Sequence, residues 1–422
     1  MSADSAKPTA SRAAKLLVLA LATSACTLLP APPPVLQQQF GPPYIPSEQH
    51  VRTFEALWAH LETDYIYFHD VDVDWEERHQ QFLDRAGAAD SEADFARTIL
   101  DLQEVLPSGA MSWQSRAERI QSDLEGSTTH AGIGAFVAFG DRPRPKIIIL
   151  SVMENSPAQR AGLSAHDSIV TIDGVDVGRE EGVRAVERIQ GAPGSQVRLV
   201  VQTPGRPDRA LAVRREPISG EVALQFGTVT GTDVGYLLFP AIGYEGLADD
   251  VLSGLKELTT NRRLGGLILD LRVSGSMQGW PLQELLTIFG NGILGEFYDR
   301  GRHELVRVNG QDVLSSQTVP LAILVGEHTS GFPEIFAAGL QASGRAVLVG
   351  GHTAAAVETS STFYLPDGSR MIIQSASFRL LSGEEVGPTG VMPDLVIEGA
   401  WDQITTTDDP VIDAAVPALI SP

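Results

Sequence analysis

A multidomain α/β architecture is the fold class this 422-residue sequence predicts, with a helical N-terminal part, a β-rich middle and an α/β core at the C-terminal end. Three observations carry the prediction. The length exceeds what a single hydrophobic core organises, so two or three domains are expected. Hydrophobic periodicity changes along the chain: helical spacing to about Ser127, short β-like runs from Gly132 to about Ile218, then alternating strands and helices. The composition, 43% hydrophobic with 41 glycines, is that of globular α/β material, without internal repeats or long low-complexity tracts.

Lys7, Arg12 and Lys15 precede a short apolar run, Leu16 to Ala22, the pattern of an export signal over residues 1–25 and too short for a membrane span. It ends in "TSAC", where Cys26 is the only cysteine of the chain. This resembles the lipobox of bacterial lipoproteins, with Thr23 where such boxes usually carry Leu. The resemblance implies lipidation at Cys26, a membrane contact through that anchor and an extracytoplasmic location, with simple secretion as the alternative. Residues 26–46, rich in proline, form the expected semi-extended tether. The formal charge of −22, with no basic stripe, argues against nucleic acid as a partner.

Residues 47–128 read as helical. In "FEALWAHLETDYIYF" the side chains of Phe54, Leu57, Trp58 and Leu61 fall on one face, a core stripe. "DSEADFARTILDLQEVL" repeats the pattern, with Asp90 or Ser91 as N-cap and Glu92 and Asp94 in the first turn.

Residues 129–218 carry "GIGAFVAF", "VMENSPAQRAGLSAHDSIVTIDGVDV" and "IQGAPGSQVRLVVQ". In that order these blocks resemble the carboxylate loop, the central block and the last helix and strands of a PDZ domain. The resemblance implies that Gly132, Ile133, Gly134, Ala135 and Phe136 bind peptide. A Gly-rich turn offers backbone N–H groups to a C-terminal carboxylate, and the adjoining strand edge accepts an extended chain.

Within residues 219–422, "LVGEHTSGFPEIFAAGLQASGRAVLVGG" reads as strand, turn, helix and strand, with the helix over Pro333 to Leu340. Such a helix N-terminus presents unpaired N–H groups and a positive dipole end, a place suited to a nucleophile and a developing oxyanion. Together with "GGLILDLR", "SGRAVLVG" and "GPTGVMPDLVI" behind a PDZ module, the stretch resembles the C-terminal-processing, or tail-specific, serine peptidases of family S41. The resemblance implies a ClpP/crotonase-like spiral α/β core.

Carried over residue by residue, the family's nucleophile position falls on Gly331, its lysine on Ala356 and the glutamine that orients the lysine on Ser360. Ser276 and Met277 stand where the oxyanion turn has glycines. Ala110 stands where a tricorn-like branch has histidine. A glycine cannot attack and an alanine cannot take a proton, so the resemblance implies a family scaffold without its Ser–Lys pair.

The surviving catalytic candidates are Ser330 as a shifted nucleophile and His352 as base, oriented by Glu358 or Asp367. Adjacent residues at a helix mouth point about 100° apart, which aims Ser330 away from the family direction. The plainer expectation is that Ser330 or Thr329 caps the helix, that His328 and His352 are solvated turn histidines, and that Asp408–Asp409 is solvated surface. No metal-binding spacing and no phosphate loop occur, so no cofactor is expected.

The expected function is therefore recognition of polypeptide C-termini or partner proteins by an exported, catalytically degenerate member of the family. The alternatives are an active serine endopeptidase using Ser330 with His352, and a carrier of small apolar ligands in a cleft lined by Trp280, Phe289, Phe297 and Phe332.

Overall fold

The computed structural model describes residues 46–127, 131–218, 222–276, 279–405 and 408–420. The export signal, Cys26, most of the tether and Met277 lie outside the described residues.

The chain begins with α1 (Pro46–Asp64), α2 (Trp75–Ala88), α3 (Glu92–Val105), β1 (Met111–Gln114) and α4 (Arg116–Ser127). Caps place the helix starts: the carboxylate of Asp74 accepts the N–H of Glu77 and the hydroxyl of Ser91 accepts that of Asp94. Phe54, Leu57, Trp58 and Leu61 are buried together, as their spacing predicts. The helical layer does not close on itself. Its core includes Leu365, Met371 and Ile373, because β1 pairs with a strand of the C-terminal region.

The middle segment contains β2 (Ala131–Gly132), β3 (Ala135–Gly140), β4 (Lys146–Val152), α5 (Pro157–Arg160), β5 (Ser168–Ile172), β6 (Val175–Asp176), a 3₁₀ helix (Gly182–Arg188), β7 (Gln196–Gln202), β8 (Arg209–Arg214) and β9 (Glu216–Pro217). The sheet order is β3-β4-β5-β7-β8, with β3 at one edge. Alternation on β7 follows burial residue by residue, Val197, Leu199 and Val201 inward and Gln196, Arg198 and Gln202 outward.

The remainder comprises β10 (Gln225–Thr228), β11 (Val234–Leu238), α6 (Leu247–Thr259), β12 (Gly266–Asp270), β13 (Gly275–Ser276), α7 (Leu282–Phe289), β14 (Gly292–Asp299), β15 (His303–Val308), β16 (Leu321–Val325), β17 (Ser330–Gly331), α8 (Phe332–Ala342), β18 (Val347–Gly350), β19 (Thr359–Tyr364), β20 (Arg370–Arg379), β21 (Leu395–Val396) and α9 (Pro410–Ile420). One sheet runs β10-β11-β12-β16-β18-β21, parallel except at β10. Its inner strands β11, β12, β16 and β18 are largely buried, which explains their apolar runs, while the edge strands β10 and β21 are exposed. Leu321, Ile323 and Val325 of β16 join the core shared with α6, α7 and α8, while Ala322 and Leu324 face Val411, Ala415 and Leu419 of α9. A second sheet, β1-β20-β14-β15 with β19 on β20, ties the N-terminal helices to the core.

Candidate functional site

The turn after β16 is fixed from several sides. The hydroxyl of Thr329 donates to the carbonyl of Leu271 at 2.9 Å and accepts the N–H of Gly326 at 3.0 Å. Ser330 donates its N–H to Ser274 at 3.2 Å, and β13 runs parallel to β17, aligning Gly275 with Ser330 and Ser276 with Gly331. Gly331 is the N-cap of α8 with φ 67° and ψ −133°, a region open to glycine and strained for other residues. Its N–H meets the carbonyl of Ala356 at 3.0 Å, and Ala354 reaches the carbonyl of Thr329 at 3.0 Å.

The two positions that sequence counting equated with nucleophile and lysine thus lie side by side. Glu334, fully buried one turn into α8, holds the facing segment: its carboxylate accepts the N–H groups of Ala355 and Ala356 at 3.0 and 3.1 Å and the hydroxyl of Thr353. Burial pushes its pKa above the usual carboxylate value against the pull of those donors.

The other candidates are not assembled into a catalytic chain. The hydroxyl of Ser330, half-buried, makes no hydrogen bond to a described residue and packs beside Gly275. His352 is exposed and turns Nδ1 to the carbonyl of Thr353 at 3.0 Å. Glu358 accepts from the hydroxyl of Tyr67 at 2.9 Å, and Asp367 accepts from Ser369 N–H and Oγ at 2.9 and 2.6 Å. Neither carboxylate orients His352. Ser360 is exposed on β19, opposite Gln374. Ala110 is buried in the core of the helical layer.

Three expectations are corrected. Neither Ser330 nor Thr329 caps α8, since the cap residue is Gly331 without a side-chain bond, and the hydroxyl of Thr329 points to Leu271 and Gly326 instead. His328 is largely buried, its Nε2 3.8 Å from the Glu327 carboxylate and without a hydrogen bond among the described residues, and burial lowers its pKa. Asp409 is not free surface: with Asp270 it clamps the buried guanidinium of Arg272, at 2.7 Å and 2.6 Å. Burial alone would lower the pKa of Arg272, but the two carboxylates outweigh it and raise it. No local pattern in "LDLR" marks that clamp, because Asp409 is 137 residues away. His328 and His352 line a cavity of about 590 Å³ together with Arg272 and Trp401; Ser330, Gly331 and Ala356 are not among its walls.

The β-rich segment offers a more complete site. All five residues from Gly132 to Phe136 line a groove of about 300 Å³, closed on the far side by Val186 and Ile189. The carbonyls of Ile133 and Gly134 are occupied by Ala158 and Met153, at 2.8 and 3.0 Å. Their N–H groups donate to no described residue. Gly134 has φ 76°, and a Cβ there would collide with Ser156, so both conformation and space require glycine. β3 leaves the groove as a sheet edge.

This unit is seated on the core. Trp401 donates its indole N–H to Ile149 at 3.1 Å, and its carbonyl accepts Nδ1 of His166 at 2.7 Å. Asp402 pairs with the buried Lys146 and accepts from Ser168 at 3.1 Å.

Three of the four aromatic residues expected to line an apolar cleft do so. Phe289 is wholly in the core, while Trp280, Phe297 and Phe332 border a space of about 560 Å³ that also exposes Glu245, Glu284 and Glu304.

Comparison with known proteins follows the same outline. A family model for peptidase family S41 matches residues 233–397, and a PDZ domain model matches residues 148–203. The carboxyl-terminal-processing proteases of Picosynechococcus sp. and Synechocystis sp. are 31% and 30% identical over 60% and 64% of this chain. The chain spans 62% and 64% of the lengths of these two relatives. In fold it is similar to the photosystem II D1 C-terminal processing protease, with a TM-score of 0.60 at 21% identity over 88% of this chain and 97% of that one. A putative S41 protease from Bacteroides fragilis gives 0.54 at 15% identity over 90% of this chain and all of that one. Fold and model matches define an α/β protein with an S41 protease fold and a PDZ domain. Its C-terminal region is similar to peptidase family S41 over residues 233–397, behind a segment similar to PDZ domains over residues 148–203.

Proposed function

We propose that this protein binds the C-termini of polypeptides through its PDZ groove and has no peptidase activity of its own. The observation that carries the reading is the contact between Gly331 N–H and the carbonyl of Ala356 at 3.0 Å. The positions that would hold nucleophile and base are adjacent, and neither residue has a reactive group. Two further features support it: among the described residues Ser330 Oγ has no base within hydrogen-bond reach, and the N–H groups of Ile133 and Gly134, beside the β3 edge, donate to none.

A fluorophosphonate probe tests the catalytic half. Purified protein is expected to remain unlabelled at a level unaffected by Ser330→Ala; labelling that disappears in that variant overturns the reading in favour of an active serine hydrolase. We propose in addition that the protein is exported and anchored by a lipid on Cys26. Metabolic incorporation of labelled palmitate, lost on Cys26→Ala, is the expected result, and a protein recovered without lipid would count against the anchor.

A further inference from the structure

We propose that the cavity beside the head of α8 takes a lysine or arginine side chain of a second polypeptide. This cavity, about 560 Å³, is walled by Trp280, Phe297 and Phe332 and rimmed by Glu245, Glu284 and Glu304. Among the described residues no lysine, arginine or histidine lines it. The three carboxylates come from separate elements: the loop before α6, the first turn of α7, and β15. Each is exposed, and none has an ion pair or hydrogen bond to another described residue. Glu304 is set directly against the aromatic wall. It stands opposite Phe297 across the β14–β15 pair, where facing side chains lie about 5 Å apart at Cβ. It also shares its face of β15 with the buried Val306 and Val308, so a charge occupies the outer end of an otherwise apolar row. The rings of Phe297 and Phe332 meet edge to face, with centroids 6.2 Å apart.

Aromatic walls under an acidic rim select an amphipathic cation. A basic side chain lays its methylene stem along the rings and carries its charged head to the carboxylates, while the ring faces attract the same charge. A purely apolar occupant would take water from three carboxylates and offer them no partner, and an anionic one would meet like charge. A bare metal ion would leave the rings unused. The surroundings favour a chain over a free amine. β15 is the outer strand of its sheet and borders the cavity at Leu305, which is 46% exposed. Such an edge pairs with an extended segment, whose alternate side chains then turn toward the cavity. Gln283 meets the carbonyl of Arg307 further along the strand. Trp280, 3% exposed, keeps its indole N–H without an acceptor among the described residues, a donor left over at the cavity wall. None of this uses the PDZ groove, and the segment held here need not be a terminus.

Fluorescence anisotropy on the full chain tests this with a labelled ten-residue peptide, amidated at its C-terminus so that the groove has no carboxylate to hold. With one central lysine between valines, the peptide is expected to bind saturably. Replacing that lysine by norleucine, which keeps the stem and removes the charge, is expected to weaken binding about tenfold. Glu284→Gln and Glu304→Gln, both at exposed positions, are each expected to narrow that ratio while leaving the norleucine peptide unaffected. Equal binding of the two peptides, a ratio untouched by both substitutions, or no binding at all overturns the proposal. N-acetyl-lysine methylamide is expected to displace the lysine peptide only at far higher concentration; equal potency would show that the strand edge adds nothing and that the occupant is not a chain. The norleucine peptide with a free terminal carboxylate reads the groove separately. A gain over its amide supports the groove reading, and the lack of one counts against that reading alone.

Discussion

At the scale of single residues, the turn that opens α8 depends on the backbone of Gly331. Gly331 sits at φ 67°, where a side chain costs about 1–3 kcal/mol. Gly331→Ser should therefore lower the unfolding free energy by about that amount, measured by urea denaturation, while remaining unlabelled by a fluorophosphonate because no base is present. Adding Ala356→Lys is expected to restore labelling, since the two positions already touch through the backbone. Glu334 is the reverse case, a side chain that holds backbone. Glu334→Gln replaces one acceptor oxygen by a donor facing N–H groups, and the orphaned donor should cost about 1–3 kcal/mol. An unchanged denaturation midpoint would contradict the role given to it. The strand, turn and helix around Gly331 were legible in the sequence because β16 and α8 keep their apolar spacing. The cap was not: a turn held by Thr329 from across the sheet looks, in one dimension, like a turn capped by it.

Among elements, the parallel strands and α8 were readable because strands buried on both faces need unbroken apolar runs, and a Pro–Glu start marks a helix. The site's fastening to α9 was not, because it depends on Arg272 meeting Asp409 at the head of that helix. Arg272 also lies over the ring of Trp401, with its guanidinium carbon 5.3 Å from the centroid. Arg272→Ala leaves Asp270 buried and uncompensated, for which about 3–5 kcal/mol is expected. Exchange of amide hydrogens along β12 and α9 should accelerate together in that variant; acceleration of one without the other would show that the clamp does not join them.

For the molecule as a whole, the seat between PDZ domain and core is expected to respond to pH through His166. His166 lies against Trp401 with ring centroids 4.1 Å apart, and burial holds its pKa below the usual value, despite the carbonyl of Trp401 that favours its charged form. Around it, Arg272 disfavours the charge, while Asp409 and Asp270 favour it. An unfolded histidine takes up a proton near pH 6.5, which the folded one resists. The unfolded state then binds more protons, so stability falls as pH drops below about 6.5. The melting temperature is expected to decline between pH 7 and pH 5.5, and less steeply in His166→Gln; equal slopes would assign the decline to other groups, such as His328. The division into helical, β-rich and α/β parts followed from periodicity. The seat did not, because Trp401 and Asp402 occur in a stretch with no period of its own.

That seat has a consequence for how the protein could be cut. The short segment from Ala400 to Ile404 grips the PDZ sheet on one side and leads into α9 on the other, so it works as a rivet through two plates. A proteolytic nick between Ile397 and Ala400 would sever only the link from β21: Trp401 and Asp402 would still grip the PDZ sheet and α9 would still lie on the core, so the two plates stay fastened through a cut at that stretch.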